Sequence, residues 1–291
     1  MRTREVVSET LAEPSLPPAL VEQVLAKLGL KNRPTLDVAG LNAVYGAICG
    51  SIPFDNVQKR IWLASDRKKP ATGGDPREFF GNWLRHGTGG TCWPSNSGMY
   101  ALARALGFNA RRIAGSVIVP NYPQGANHGS VLVTLDGVEY VFDLTFGCFK
   151  TLPLVAGQVV STETGIHNAR VRPLDGGGFE LFFSLGWSAV PLPFRREPQY
   201  DPVDHAFFVA RYDRANRVGF FNDTLLVSRR FADSIVTIGR GKKLLVTSDG
   251  TPTKTDLTLN QRDELLVQEV GLSEEVVSMI PPDIVDGIAP F

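Results

Sequence analysis

Residues 87–96 have the sequence GTGGTCWPSN, a glycine-rich run that leads into a single cysteine, Cys92, and a proline. Apolar residues follow at helical spacing, at Met99, Leu102, Ala103 and Leu106. This pattern predicts a helix that begins beside Cys92 and ends at Gly107. The positive end of the helix dipole would favour a thiolate over a thiol at that place. The alternative for this stretch alone is a small buried thiol beside a turn.

The composition excludes several classes of protein. The 291 residues include 30 basic and 30 acidic side chains without a long run of either charge, which disfavours nucleic-acid or membrane-surface binding. No apolar run reaches the roughly 18 residues of a membrane-spanning helix, and the N-terminus lacks the apolar core of a signal peptide. Three cysteines and four histidines at unrelated spacings predict neither a disulfide framework nor a metal site. We therefore expect a reduced, globular, cytoplasmic protein.

Hydrophobic periodicity divides the chain into parts of different secondary structure. Helical periodicity predicts helices in residues 1–108, and a period of two over residues 109–190 predicts a small antiparallel sheet or barrel. Residues 191–205 are rich in proline and are expected to form a connector. Residues 206–291 mix both periods, with a strand expected at 206–212, and are predicted to form an α/β lid domain. The predicted fold class is therefore α+β.

A hairpin register brings two further polar residues together. Asp136-Gly137 lies between two alternating runs and is typical of a two-residue hairpin turn. In that register Asp143 lies opposite Ser130, and His128 lies on the same face two residues earlier, within side-chain reach of Asp143. Such a carboxylate could orient the imidazole, and with Cys92 the three would form a thiol acyl-transfer site. Taken singly, a loop-edge histidine and a turn-capping aspartate are the alternatives.

The sequence resembles the arylamine N-acetyltransferase family, whose short motifs occur here in the same order. The segments PTL and IPFEN correspond to Pro34-Thr35-Leu36 and to IPFDN at residues 52–56. RGGxCFExN corresponds to residues 88–96, LGF to residues 106–108 and DVGFG to DLTFG at residues 143–147. His128 resembles the histidine that opens the family's HMxL strand.

The resemblance implies a helical domain, a central antiparallel β-barrel and an α/β lid, with a triad arranged as in cysteine proteases. It implies that Cys92 takes the acyl group as a thioester, that His128 is its base and that Asp143 orients the histidine. The family transfers the acetyl group of acetyl-coenzyme A to an arylamine, hydrazine or hydroxylamine in a ping-pong reaction. The expected activity is therefore N-acyl transfer, from acetyl-coenzyme A or a larger acyl-coenzyme A to a small amine.

Several residues beside these three positions depart from the family pattern. Thr88 replaces an arginine, Trp93-Pro94 replaces phenylalanine and glutamate, Gly129-Ser130 replaces a bulky pair, and Thr145 replaces a glycine. The residues expected to bind substrate are Trp93, Phe54, Gly129, Ser130 and Phe146. Because Gly129 and Ser130 are small, we hypothesise that the site has room for an acyl chain larger than acetyl.

Other functions fit the same residues. Some relatives of the family act as amide synthases on polyketide chains, and such an enzyme would receive its acyl chain from an acyl carrier protein. A hydrolase or a transglutaminase-like enzyme would use the same cysteine, histidine and aspartate with water or glutamine as the reaction partner. A binding module that kept the fold without catalysis is the remaining alternative.

Overall fold

The N-terminal part of the chain is helical, as its apolar periodicity predicts. The computed structural model describes residues 12–118, 125–162, 165–175, 178–183, 192–219, 221–248 and 251–283. The helices of this part are α1 (Pro18–Lys27), α2 (Val38–Ser51), α3 (Val57–Ala64), α4 (Pro76–His86) and α5 (Cys92–Leu106). Large side chains such as Tyr45, Phe80 and Trp83 bury one face of these helices in a core shared with the barrel.

Local signals set the ends of the two helices that flank the glycine-rich turn. Asp75 accepts a hydrogen bond from the Arg77 N–H at 2.8 Å, and Pro76 occupies the first turn of α4. Gly87 ends α4 and Gly107 ends α5, both with positive φ, a conformation that glycine adopts without strain. The predicted end of the cysteine helix is therefore confirmed.

An eight-stranded antiparallel sheet, counted over the described residues, forms a nearly closed barrel. Its strands are β2 (Asn109–Val117), β3 (His128–Leu135), β4 (Val138–Val141), β5 (Leu152–Leu154), β6 (Val160–Thr162), β7 (Ala169–Pro173), β8 (Phe179–Phe183) and β9 (Leu192–Arg196). They pair in the order β5-β4-β3-β2-β9-β8-β7-β6, and the two outer strands β5 and β6 approach each other. This confirms the barrel that the family resemblance implies.

The hairpin register predicted from Asp136-Gly137 is also confirmed. Leu135 pairs with Val138, and the two turn residues have φ values of 49° and 80°. Positive φ at both positions is the geometry of a type I′ turn, whose twist matches that of the strands. The last residue of β4 is Val141, so Asp143 lies just beyond the strand.

The connector predicted at residues 191–205 contains a strand, β9, that completes the barrel. Phe194 of β9 is fully buried, and the strand pairs with both β2 and β8. Pro193 lies near the start of this strand, where proline is tolerated, and its carbonyl accepts a hydrogen bond from the Ile118 N–H at 2.9 Å. The proposed division of the chain at residues 108, 190 and 205 remains a prediction.

The C-terminal part adds a second sheet covered by helices. The sheet has the order β1-β10-β11-β12-β13 and consists of β1 (Phe54–Asp55), β10 (Leu226–Arg230), β11 (Ser234–Gly239), β12 (Lys242–Thr247) and β13 (Thr253–Asp256). Helix α7 (Leu259–Leu265), a π-helical turn at Leu266–Val270 and α8 (Glu274–Val277) pack against it around Val227 and Ile238. Strand β1 comes from the N-terminal half of the chain. Through β1, this sheet directly contacts the turn before Cys92.

The strand expected at residues 206–212 is wrong, because these residues lie in helix α6 (His205–Arg217). The Asp204 carboxylate caps the helix by accepting a hydrogen bond from the Phe207 N–H at 2.8 Å. The buried residues Phe208 and Tyr212 recur at helical spacing, which a short apolar run does not distinguish from a strand.

Within the described ranges, no helix is long and apolar enough to cross a membrane.

Candidate active site

Cys92 is the first residue of α5, and buried hydrogen bonds fix the turn before it. The Gly89 N–H donates to the Asp55 carboxylate at 2.5 Å, and the Asp55 N–H donates to the Gly90 carbonyl at 3.3 Å. Ser95 Oγ donates to the same carbonyl at 2.9 Å. The predicted position of Cys92 at the positive end of a helix is therefore confirmed.

Asp55 is buried beneath this turn and is held by backbone groups. Burial raises the pKa of Asp55 to about 7, although hydrogen bonds from the Gly89 and Val57 N–H groups act in the opposite direction. Thr88, at the position of the family's arginine, is fully buried and accepts a hydrogen bond from Gln58 Nε2 at 3.3 Å. Among the described residues, no lysine, arginine or histidine forms an ion pair with Asp55.

His128 and Asp143 are in direct contact, as their predicted register requires. His128 Nε2 lies 2.8 Å from Asp143 Oδ2, and both side chains are buried. The Thr145 N–H donates to Asp143 Oδ1 at 2.8 Å, and the Tyr45 hydroxyl donates to the Asp143 carbonyl at 2.7 Å. These contacts fix the orientation of the carboxylate, which in turn fixes one nitrogen of the imidazole.

The charges around His128 favour its protonated form. Burial lowers the pKa of His128, whereas the negative charges of Asp143 and Cys92, and side-chain hydrogen bonds to both, raise it to about 10. Because Nε2 contacts Asp143, the other ring nitrogen remains for the sulfur. The three residues predicted from the sequence therefore meet in one site.

Asn96 contacts Asp143, and the sequence alone predicted no role for it. Its Nδ2 donates to Asp143 Oδ1 at 2.9 Å and to the Gly129 carbonyl at 2.6 Å, and its Oδ1 accepts from the Leu144 N–H at 3.1 Å. The signal was its position four residues after Cys92, which places it on the same face of α5. A buried amide of this kind links the cysteine helix to the loop that carries Asp143.

Aromatic rings line two sides of the site. The Trp93 ring meets the Phe208 ring of α6 edge-on, with centroids 5.1 Å apart and planes at 88°. The His128 imidazole stacks on Phe146 at 5.1 Å and meets the edge of Phe194 at 5.0 Å. The imidazole is thus held by barrel rings, while Trp93 and Cys92 pack in a separate cluster under α6.

The space expected beside Gly129 is not empty, and the use of an acyl chain larger than acetyl remains a prediction. A Cβ at Gly129 would lie 2.5 Å from Trp93 Cε3 and 2.7 Å from Phe208 Cζ. The space that a side chain would fill is therefore occupied by the large ring of Trp93. Ser130 adds no space either, because it is fully buried in the β3 ladder opposite Ile113. The large volume of Trp93 therefore compensates for the small volumes of Gly129 and Ser130.

The other residues expected to bind substrate lie in different surroundings. Phe54 belongs to β1, bridges to Gly90 and contacts the Phe221 ring with centroids 5.5 Å apart, so it supports the turn before Cys92. Phe146 stacks on the imidazole. The roles of Phe54, Phe146, Trp93, Gly129 and Ser130 in substrate binding remain predictions. Among the described residues, no group of three or more His, Cys, Asp or Glu side chains could hold a metal ion.

The sequence matches the family model described as N-acetyltransferase over residues 37–277, which is most of the chain. The chain belongs to the arylamine N-acetyltransferase family. It is similar to arylamine N-acetyltransferase 2 of Macaca mulatta, with 26% identity over 146 residues that cover 47% of this chain and 48% of that protein. The enzyme of Mycolicibacterium smegmatis is 28% identical over 147 residues, covering 47% and 51%. The chain thus spans about half the length of the curated relatives it matches.

Solved structures of the family share the fold over almost the whole chain. The arylamine N-acetyltransferase of Salmonella typhimurium superposes with a TM-score of 0.74 at 19% identity, covering 90% of this chain and 97% of that one. An enzyme of Bacillus cereus with a unique Cys-His-Glu catalytic triad has a TM-score of 0.71 at 19% identity, covering 87% and 98%. At these identities the similarity establishes the fold of this family member.

Proposed function

We propose that this family member is a thiol-dependent N-acyltransferase that moves an acyl group from acetyl-coenzyme A, or a larger acyl-coenzyme A, to a small amine. The observation that carries the proposal is the buried contact of 2.8 Å between His128 and Asp143 beside the helix that begins at Cys92. Arylamines and hydrazines are the proposed acceptors. The nucleophile is Cys92, the acid and base is His128, and the orienting residue is Asp143.

In the first half-reaction the Cys92 thiolate attacks the carbonyl carbon of the acyl thioester. A new carbon–sulfur bond forms to Cys92, and the carbon–sulfur bond to the coenzyme breaks. The departing coenzyme thiolate takes the proton of the His128 imidazolium. The raised pKa of His128, about 10, keeps that proton available at neutral pH, and the Asp143 carboxylate stabilises the charged ring until transfer.

In the second half-reaction the amine nitrogen attacks the thioester on Cys92. The carbon–nitrogen bond forms as the bond to sulfur breaks, and His128, now neutral, accepts the proton from the amine. The products are the amide and the original thiolate and imidazolium, so atoms and charge balance over the cycle. The same histidine therefore acts once as an acid and once as a base.

The start of α5 supplies candidate donors for the oxyanion of each tetrahedral intermediate. Cys92 is the first helical residue and Trp93 the second, so their N–H groups belong to the first turn, which has no acceptors within the helix. Donors at a helix N-terminus are suited to developing negative charge. We assign the oxyanion to this turn.

The test is intact-mass spectrometry of the purified protein after incubation with acetyl-coenzyme A or longer acyl-coenzyme A thioesters, without amine. We expect one added acyl group that is absent from Cys92→Ala and is discharged when an arylamine is supplied. Cys49→Ala is the matched control, because the Cys49 thiol is buried and burial raises its pKa to about 12, so this variant should still acylate. Absence of an adduct with every coenzyme A thioester, or an unchanged adduct in Cys92→Ala, would contradict the proposal.

The preference among chain lengths distinguishes the acetyltransferase from an amide synthase. Because Trp93 fills the space beside Gly129, we expect acetyl to acylate Cys92 faster than longer chains. A clear preference for long chains, or acylation only from a carrier-protein thioester, would move the assignment to the amide synthase. Adduct loss in water as fast as in the presence of amine would indicate a hydrolase.

A further inference from the structure

Lys59 of α3 is a buried cation that a backbone carbonyl holds. Its side chain belongs to a residue only 3% exposed, and its Nζ donates to the Ala215 carbonyl at 3.1 Å. Among the described residues, no aspartate or glutamate forms an ion pair with it. A buried ammonium is costly unless an opposite charge compensates it, so the nearest group that can carry negative charge is of interest.

The surroundings of Lys59 include the backbone that leads into the proposed nucleophile. Lys59 lines a cavity of about 10 Å³ together with Gly90 and Thr91, the two residues that precede Cys92. Ala215, whose carbonyl binds the ammonium, packs in the same apolar cluster as Cys92. A cavity of this size holds about one water molecule and no substrate group, so Lys59 acts on the site through its charge.

The electrostatic interactions of Lys59 also connect it to Cys92. Burial lowers the pKa of Lys59 to about 8, and the negative charge of Cys92 opposes this more strongly than that of Asp223. Asp55 lines the same cavity, but its own raised pKa means that it is only partly ionised near neutral pH. Tyr212 also faces the cavity, and its burial raises its pKa, so its hydroxyl stays neutral.

We propose that Lys59 is a positioning residue whose buried ammonium, together with the His128 imidazolium, stabilises the thiolate of Cys92. This inference rests on the proposed function, because it assumes that Cys92 is the nucleophile. It gives the thiolate a second cation that does not take part in proton transfer. Lys59 therefore also provides a positive charge for the departing sulfur in the second half-reaction, which His128 enters in its neutral form.

The first experiment measures thiol ionisation directly, by the rate of Cys92 alkylation with iodoacetamide as a function of pH. In Lys59→Met we expect the midpoint of the rate profile to move upward by about one pH unit, which is about tenfold slower alkylation below the midpoint. Lys59→Arg keeps the charge and should keep the wild-type midpoint. Lys27→Met is the matched control, because Lys27 Nζ also donates to backbone carbonyls, those of Trp83 and Leu84, and its titration does not respond to Cys92.

Two outcomes would overturn the inference. One is an unchanged midpoint in a Lys59→Met protein that melts cooperatively. The other is an equal shift in Lys59→Arg, which would mean that packing and not charge is responsible. A structural role of Lys59 alone would lower the melting temperature without moving the midpoint, so both quantities are measured on each variant.

The second experiment measures the interaction between Lys59 and Cys92 through the pKa of Lys59. It does not depend on the folding of a Lys59 variant. Heteronuclear NMR of the lysine Cε–Hε groups follows the titration of Lys59 in wild type and in Cys92→Ala. Because coupling between two sites is reciprocal, the pKa of Lys59 should fall in Cys92→Ala by about the shift seen in alkylation. An unchanged lysine titration would refute the inference. Neither experiment uses an acyl donor, so a failure of acylation and a failure of this coupling are separate results.

Discussion

Replacing Gly129 with alanine is a sharp test of how the site is packed. The added Cβ would lie 2.5 Å and 2.6 Å from Trp93 Cε3 and Cζ3, and 2.7 Å from Phe208 Cζ. Carbon atoms without a bond between them rest at about 3.5–4.0 Å, so both rings would have to move by roughly 1 Å. Trp93 is only 3% exposed and Phe208 only 2%, which leaves neither ring an empty space to enter.

Overpacking of a rigid core costs about 1–3 kcal/mol, and we expect the upper end here because two aromatic rings are displaced together. For a chain of this size, about 3 kcal/mol corresponds to a melting temperature lower by roughly 5 °C. The assay is thermal and denaturant unfolding followed by circular dichroism. Gly81→Ala is the control, because Gly81 is exposed in α4 and a Cβ added there would meet no atom within 4 Å, so alanine should be neutral or stabilising.

The double variant Gly129→Ala/Trp93→Leu tests the cause. Leucine removes the ring atoms that the new methyl group would meet, at the cost of a cavity when it is introduced alone. The methyl group then fills part of that cavity, so the two free-energy changes should fall short of additivity by about 1–2 kcal/mol. Strict additivity, or a wild-type stability of Gly129→Ala, would refute the reasoning that Trp93 occupies the place of a residue-129 side chain.

Three further predictions concern the surroundings of the site. Asn96→Ala removes a donor to Asp143 and should lower the rate of acylation by about 10²-fold in a folded protein; a wild-type rate would contradict a positioning role. Because burial raises the pKa of Asp55 to about 7, its neutral form is favoured in the fold, so wild-type stability relative to Asp55→Asn should fall as pH rises from about 4 to 7; a constant difference in melting temperature would argue against this. Gly147→Ala, at φ 52° and overlapping the buried Arg230 guanidinium, should cost about 2–4 kcal/mol in urea unfolding, and an unchanged midpoint would contradict it.

The features that the sequence predicted correctly are those with a short-range physical cause. The Asp136-Gly137 turn sets the hairpin register, because few residues adopt positive φ at two successive positions. The same register was sufficient to bring His128 and Asp143 together, since side chains alternate along a strand. The end of α5 at Gly107 follows from a glycine that leaves the helix in the left-handed conformation.

The sequence did not predict helix α6 or strand β9, and both failures have the same physical cause. The apolar run that begins helix α6 and the proline-containing strand β9 are both short, and a short run does not carry a clear period. Their conformations depend on what they pack against. Phe208 of α6 meets Trp93, and Phe194 of β9 meets the His128 ring, and both partners lie far away in the sequence.

The sequence by itself determined the order and chemistry of the three central residues, the helix that begins at Cys92 and the hairpin that carries His128, because each depends on neighbours a few residues away. Only the tertiary structure decided that Trp93 fills the space beside Gly129 and that Lys59 lines a cavity the size of one water molecule together with the two residues that precede Cys92. These contacts join distant segments, and their geometry depends on the packing of whole side chains in a dense interior. Local patterns in the sequence do not contain that information.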